Sequence, residues 1–222
     1  MAAAEPGADA RDASRAWAIR GALLAAVAVA LSLVAARGEP FRLDLPLAAA
    51  IQRGAGERLD AFAHAVSWIG LWAPSVAVVG VVAALVWRAG DRVGAGAIIV
   101  AALLRPVNGA LKRLIDRPRP SADLVRVLEA ADGLGFPSGH AFSAMLLAVV
   151  AAGVLARTMT GWKLRAAQAA CILAALLMGW SRVRLGAHWP GDVLGGWLWG
   201  AALGCWVLAA LPWIDARRSG GR

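Results

Sequence analysis

Residues 137–192 read PSGHAFSAMLLAVVAAGVLARTMTGWKLRAAQAACILAALLMGWSRVRLGAHWPGD. Two apolar runs, Ala141 to Ala156 and Leu164 to Trp180, are separated only by the basic turn from Arg157 to Arg165, and each outer end carries a polar cluster. Both runs approach the length of helix that crosses a hydrocarbon core about 30 Å thick. Two crossings return a chain to its starting side, so Pro137 to His140 and Ser181 to Asp192 are expected at one membrane face. A third cluster, Lys112 to Pro120, joins them there. The segment between it and Pro137, Ser121 to Phe136, is too polar and too Gly-interrupted to span.

The rest of the chain fits this reading. Of 222 residues, 60% are hydrophobic and 17% charged, and the 23 basic against 14 acidic side chains give a net charge of +9. Such apolar content excludes a disordered chain. A soluble basic nucleic-acid binder is excluded as well, because Lys and Arg interrupt long runs of Ala, Leu, Val, Gly and Trp instead of covering solvated faces. Six apolar spans are expected, at about Trp17 to Ala36, Ala61 to Trp87, Val93 to Leu111, Ala141 to Ala156, Leu164 to Trp180 and Val193 to Ile214. The fold class is therefore an all-α polytopic membrane protein of about six transmembrane helices, with its site at one membrane face. A cytoplasmic tail over 1–16, a membrane domain over 17–214 and a cytoplasmic tail over 215–222 complete the layout.

The long, partly acidic N-terminal stretch with Glu5, Asp9 and Asp12 favours an uncleaved first helix over a signal peptide. Cleavage near Ala36 would remove one helix and leave the remaining reading unchanged. Cys171 and Cys205 lie in apolar runs without metal-ligand spacing and read as packing residues. Pro40 and Pro46 mark residues 37–60 as a turn-rich loop, and residues 112–136 leave room for a short interfacial helix. The tryptophans Trp68, Trp72, Trp162, Trp180, Trp189 and Trp213 flank spans as an aromatic belt, with Trp189 also a candidate for the lipid entrance.

Orientation follows from counting. Each side of a six-span layout carries 11 basic residues, with Arg105 inside a span. Setting aside Lys112, Arg119 and Arg182 as site residues leaves the side holding both termini richer in cations, which places it in the cytoplasm. That side carries a net +6 and the opposite side +2, so the shared face of the three clusters is extracytoplasmic.

This face gathers Lys112, Arg119 and Arg182, with Arg117 and Arg184 nearby, two histidines and a carboxylate. Planar guanidinium forks match phosphate oxygens, and a lysine adds a point charge. Ser138 stands where the fourth span begins, positioned to cap a helix whose free amides favour an anion. Asp192 follows His188 by four residues, so its carboxylate can fix the tautomer of the ring and leave the other nitrogen free to attack phosphorus. His140, from another helix start, is placed to protonate a leaving oxygen. Arg105 and Asn108, three residues apart in the third span, share a helix face leading to Lys112 and are read as supporting that pocket or as occupying a wet defect. His64 reads as a helix-contact residue.

Lys112-x6-Arg119-Pro120, Pro137-Ser138-Gly139-His140 and Ser181-Arg182-x5-His188-x3-Asp192 resemble, complete and in order, the three signature motifs of the type 2 phosphatidic acid phosphatase superfamily. The resemblance implies a metal-independent phosphatase without cofactor, with His188 as a nucleophile forming a phosphohistidine, Asp192 orienting it and His140 as general acid. It implies a phosphate cradle of Lys112, Arg119, Ser138, Gly139 and Arg182, while Arg117 and Arg184 stay open between phosphate, lipid head groups and acidic neighbours. Soluble vanadium haloperoxidases share these motifs, but six apolar spans speak against that branch. The expected substrate is a lipid phosphate or diphosphate, with undecaprenyl diphosphate, phosphatidic acid and phosphatidylglycerophosphate as candidates. The alternatives are a lipid phosphotransferase and a non-catalytic lipid-phosphate binder or transporter; membrane lipids are the only other partners expected.

Overall fold

The computed structural model describes residues 5–54 and 56–219; residues 1–4, Ala55 and the end of the expected C-terminal tail at 220–222 lie outside it. The described residues form helices and no strands: α1 (Ala8–Ala35), α2 (Asp44–Gln52), α3 (Glu57–Ile69), α4 (Trp72–Arg88), α5 (Arg92–Leu103), α6 (Arg105–Ile115), α7 (Gly139–Leu155), α8 (Gly161–Arg184) and α9 (Pro190–Ser219). Four helical stretches, Ala8–Ala35, Arg92–Ile115, Gly161–Arg184 and Pro190–Arg218, are long and apolar enough to cross a membrane. The pair α3 and α4 makes a fifth if taken as one span, and α7 is apolar but only 17 residues long. By length and apolar composition the chain thus has four spans, or five with the bent pair taken as one, and the shorter apolar α7 besides.

The departures have local causes. The expected second span breaks between Ile69 and Trp72 with a 66° bend. Gly70 ends α3, and Pro74 sits in the first turn of α4, where a missing backbone donor does no harm. Residues 37–60 are not only a loop: Leu-Pro-Leu-Ala-Ala-Ala-Ile continues from Asp44 as α2, with Pro46 in its first turn. Conversely, no helix forms between α6 and α7. Pro118 and Pro120 end α6 after Asp116, whose backbone is left-handed (φ 54°), and the strip runs on in turns. α1 begins at Ala8, ahead of the expected Trp17, because no Gly or Pro interrupts Ala8 to Trp17. The expected tail residues Arg11 and Arg15 are thus helical.

α9 is the axis of the bundle, packed along α7 on one side and α1 on the other. Gly196, Gly200 and Gly204 recur every four residues and so share one helix face. A Cβ added at these positions would lie 2.6 Å from the Ser138 carbonyl oxygen, 2.4 Å from that of Phe142 and 2.9 Å from Val149 Cβ. Small residues permit this backbone approach in lipid, where dispersion replaces the hydrophobic effect as the packing force. Phe142, Leu146, Val150 and Val154 of α7 then fill the core against Ile98 of α5 and Leu208 and Leu211 of α9. Leu23, Leu33, Leu85, Leu103, Trp72 and Trp162 point outward, as expected of a lipid-facing belt. Trp189 does not belong to it: the ring is 3% exposed and packs among Ala48, Ala141, Val183 and Val193. It lines no lipid entrance.

Candidate active site

The three polar clusters meet at one end of this bundle, because α6 delivers Lys112, the start of α7 delivers His140, the α8–α9 turn delivers His188 and the first turn of α9 delivers Asp192. His188 is 3% exposed. Its Nδ1 lies 3.4 Å from Asp192 Oδ2, and its Nε2 lies 3.1 Å from a nitrogen of Arg119. A guanidinium can only donate, so Nε2 is the unprotonated nitrogen and Nδ1 carries the hydrogen toward the carboxylate. The Trp189 amide also donates to Asp192 Oδ2 at 3.0 Å, and Arg117 occupies the other oxygen at 2.6 Å. Burial, reinforced by Arg119, Lys112 and Arg182, holds the imidazole well below the usual histidine range. His188 is thus neutral with a free lone pair at neutral pH.

The cations around it are anchored largely by neutral acceptors. Lys112 donates to the Leu134 carbonyl and, at 3.3 Å, to that of Gly135. Arg119 donates to the Gly133 and Ala187 carbonyls at 3.0 and 2.7 Å. Backbone carbonyls hold these side chains in place without cancelling their charge, and burial together with Arg182 pulls the Arg119 guanidinium below its ordinary range. Arg182 alone of the three has an acidic partner, donating to Glu129 at 2.6 Å and to Ser67. Burial acts to raise the Glu129 carboxyl, but the bonds from Arg182 and Ser67 prevail and hold it below the usual carboxylate range.

Several polar atoms of this region are buried without a hydrogen-bond partner, among them Ser138 Oγ, His140 Nε2, Arg182 Nε and Arg117 Nε. Leaving one such group unsatisfied costs about 1–3 kcal/mol, so a concentration of them beside unneutralised cations marks a place made for a polar guest. Ser138 stands at the N-cap of α7, yet its hydroxyl makes no cap bond; its carbonyl takes the Phe142 amide at 2.9 Å instead. The expected capping role is therefore not filled. Asn108 holds the turn, donating to the Pro137 carbonyl at 3.2 Å, and its Oδ1 would stand 3.1 Å from a Cβ at Gly139.

Other candidates take structural positions. Arg184 is fully buried and donates to Asp60 at 2.8 Å and to the Ile51 carbonyl at 2.9 Å, which ties the end of α8 to α2 and α3. Arg117 is equally buried between Asp192 and Asp44. Arg105 reaches Ser75 and, at 3.4 Å, the Gly70 carbonyl, where it braces the α3–α4 break. That break adjoins the site, since a Cβ at Gly70 would fall 2.1 Å from His140 Cδ2. His64 lies 3.8 Å from Glu129. Sequence reasoning missed Asp44, Ser67, Gly70 and Glu129. The one available signal was Asp44, an acid directly before a Leu-Pro-Leu helix start. Beside the site, an apolar groove of about 710 Å3 runs from Pro190 and Gly191 past Leu47, Leu176, Trp180 and Leu194.

Residues 93–215 match the sequence profile of the PAP2 superfamily. A curated undecaprenyl-diphosphatase from Sulfolobus acidocaldarius is 32% identical over 112 residues, which cover 49% of this chain and 41% of that relative; the match thus spans less than half of its length. Among solved structures, the transmembrane PAP2 type phosphatidylglycerolphosphate phosphatase from Bacillus subtilis superposes with a TM-score of 0.68 at 23% identity, covering 85% of this chain and 95% of that one. Aquifex aeolicus LpxE superposes with a TM-score of 0.63 at 26% identity, covering 76% and 96%.

Proposed function

Since the chain belongs to the PAP2 superfamily, we propose that it is an integral-membrane phosphatase of lipid phosphates or diphosphates, working through a phosphohistidine on His188. The observation that carries this reading is the neutral, buried His188, with one ring nitrogen facing Asp192 and the other facing Arg119. In the first step Nε2 attacks phosphorus, the bond from phosphorus to the lipid oxygen breaks, and His140 donates the proton that the leaving oxygen needs. Arg119 shifts from the lone pair to the phosphoryl oxygens, where Lys112, Arg182 and the Ser138–Gly139 turn share the developing charge. In the second step His140 takes a proton from water, the oxygen attacks phosphorus, the P–N bond breaks, and inorganic phosphate leaves.

The groove beside Pro190 supports lateral entry of the lipid tail between α2, α8 and α9. The distribution of basic residues further supports a membrane domain over about 17–214 that crosses six times, α1 extending into the N-terminal tail, with both termini cytoplasmic and the site on the extracytoplasmic side; a bacterial inner membrane is the setting we propose. Undecaprenyl diphosphate, phosphatidic acid and phosphatidylglycerophosphate remain the substrate candidates, the first and last being named for the relatives above. The test is phosphate release by the detergent-purified chain from all three, with chelator present and with or without an added lipid alcohol. Release independent of the alcohol is expected. Phosphoryl transfer only to the added alcohol would make the chain a transferase, and binding without turnover would make it a lipid-phosphate binder.

A further inference from the structure

Asp192 is held by a chain of buried charges that begins on another helix. Arg117 donates to Asp192 Oδ1 at 2.6 Å and to Asp44 Oδ2 at 2.5 Å, and the three side chains are 0 to 2% exposed. Arg117 also reaches the Glu39 carbonyl at 3.1 Å and stacks its guanidinium 4.2 Å from the centre of the Phe41 ring. Asp44 grips a second point: its Oδ1 accepts the Gly191 amide at 2.7 Å, beside Asp192 in the first turn of α9, while Oδ2 accepts the Phe41 amide at 2.8 Å. A Cβ at Gly191 would lie 2.1 Å from Phe41 Cδ2, so α2 and its leading loop are pressed against the backbone that carries Asp192.

We propose that Asp44 and Arg117 are positioning residues for the reaction, fixing through Arg117 and Gly191 the carboxylate that orients His188. The inference rests on the reading of His188 as nucleophile. Arg117 takes one oxygen of Asp192, which directs the other to His188 Nδ1 and the Trp189 amide. A carboxylate with only the second set of partners could rotate about its terminal bond and release the tautomer. Two carboxylates share one guanidinium out of water, so removing Arg117 would leave both acids buried and unpaired, whereas neutralising Asp44 leaves a one-to-one pair on Asp192. Asp44 lies outside the matched residues 93–215, so α2 contributes to the site from beyond the segment that defines the family.

Asp44→Asn is the first variant. It keeps the shape and leaves one Arg117 paired with one Asp192, so folding is retained. Full-length chains in detergent are compared for turnover and, after 15N-histidine labelling, for ring-nitrogen NMR signals, which only three histidines contribute. The expected result is a fall in kcat on the order of 100-fold with KM little changed, as for a displaced reacting group. His188 is expected to populate both tautomers, while the His64 and His140 signals stay in place. Arg117→Lys, which keeps the charge but not the fork, should lose less than Arg117→Met. Unchanged His188 signals in Asp44→Asn would overturn the proposal, whether kcat falls or not. If the wild-type chain releases no phosphate from any lipid, the proposed function fails, and the tautomer comparison alone then decides whether Asp44 positions His188.

Discussion

His188 has its two ring nitrogens assigned by different neighbours, Asp192 on one and Arg119 on the other, and this determines its protonation. Because burial and three cations lower its pKa, the unfolded chain binds a proton at about 6.5 that the folded chain refuses. The sign is then fixed: the stability due to neutral His188 is fully present above pH 6.5 and is lost as pH falls below it. Thermal unfolding in detergent at pH 7.5 and 5.5 should show a drop at the lower pH that shrinks in His188→Gln. An equal drop in both chains would mean that His188 is not held neutral. The residues proposed to react, and their meeting at one end of the bundle, were legible at this scale, since helix-end His, Ser and Asp at fixed spacings constrain one another. Glu129, Ser67 and Asp44 were not, because each is a lone polar residue whose partner lies 53 to 147 positions away in sequence, as with Arg182 and Glu129, Arg182 and Ser67, and Gly191 and Asp44.

At the scale of the element, α9 connects chemistry to packing. Its first turn carries Asp192, and its Gly196-x3-Gly200-x3-Gly204 face fits the backbone of α7, whose first turn carries His140. Gly200→Ala would place a methyl carbon 2.4 Å from the Phe142 carbonyl oxygen, one turn from His140. We expect a loss of about 1–3 kcal/mol from overpacking. Gly80→Ala, where nothing lies within 4 Å, should unfold at the wild-type temperature or above it. Thermal unfolding of the two variants side by side checks this, and equal behaviour would contradict close α7–α9 contact. Apolar runs revealed where α1, α7, α8 and α9 lie but not their ends. Ser181, Arg182 and Arg184 extend α8 as ordinary helix formers, although hydropathy alone stops at Trp180.

At the scale of the whole molecule, two crossings between Pro137 and Asp192 already required the clusters to share a face, and the bundle brings them together there. The break at Gly70 was beyond hydropathy, which averages across a 66° bend as readily as along a straight helix. The nine residues of α2 were too few to stand out as a span, yet they close the site from the side and line the groove. The arrangement is a cationic end of a lipid-facing bundle around one buried histidine, and the proposed function turns on covalent transfer to its Nε2. Rapid quenching of the purified chain with lipid phosphate labelled at phosphorus tests it most directly. The account predicts a labelled protein whose phosphate is acid-labile, base-stable and mapped to His188, and which is absent in His188→Ala together with turnover. Phosphate release without labelled protein, undiminished in His188→Ala, would contradict it.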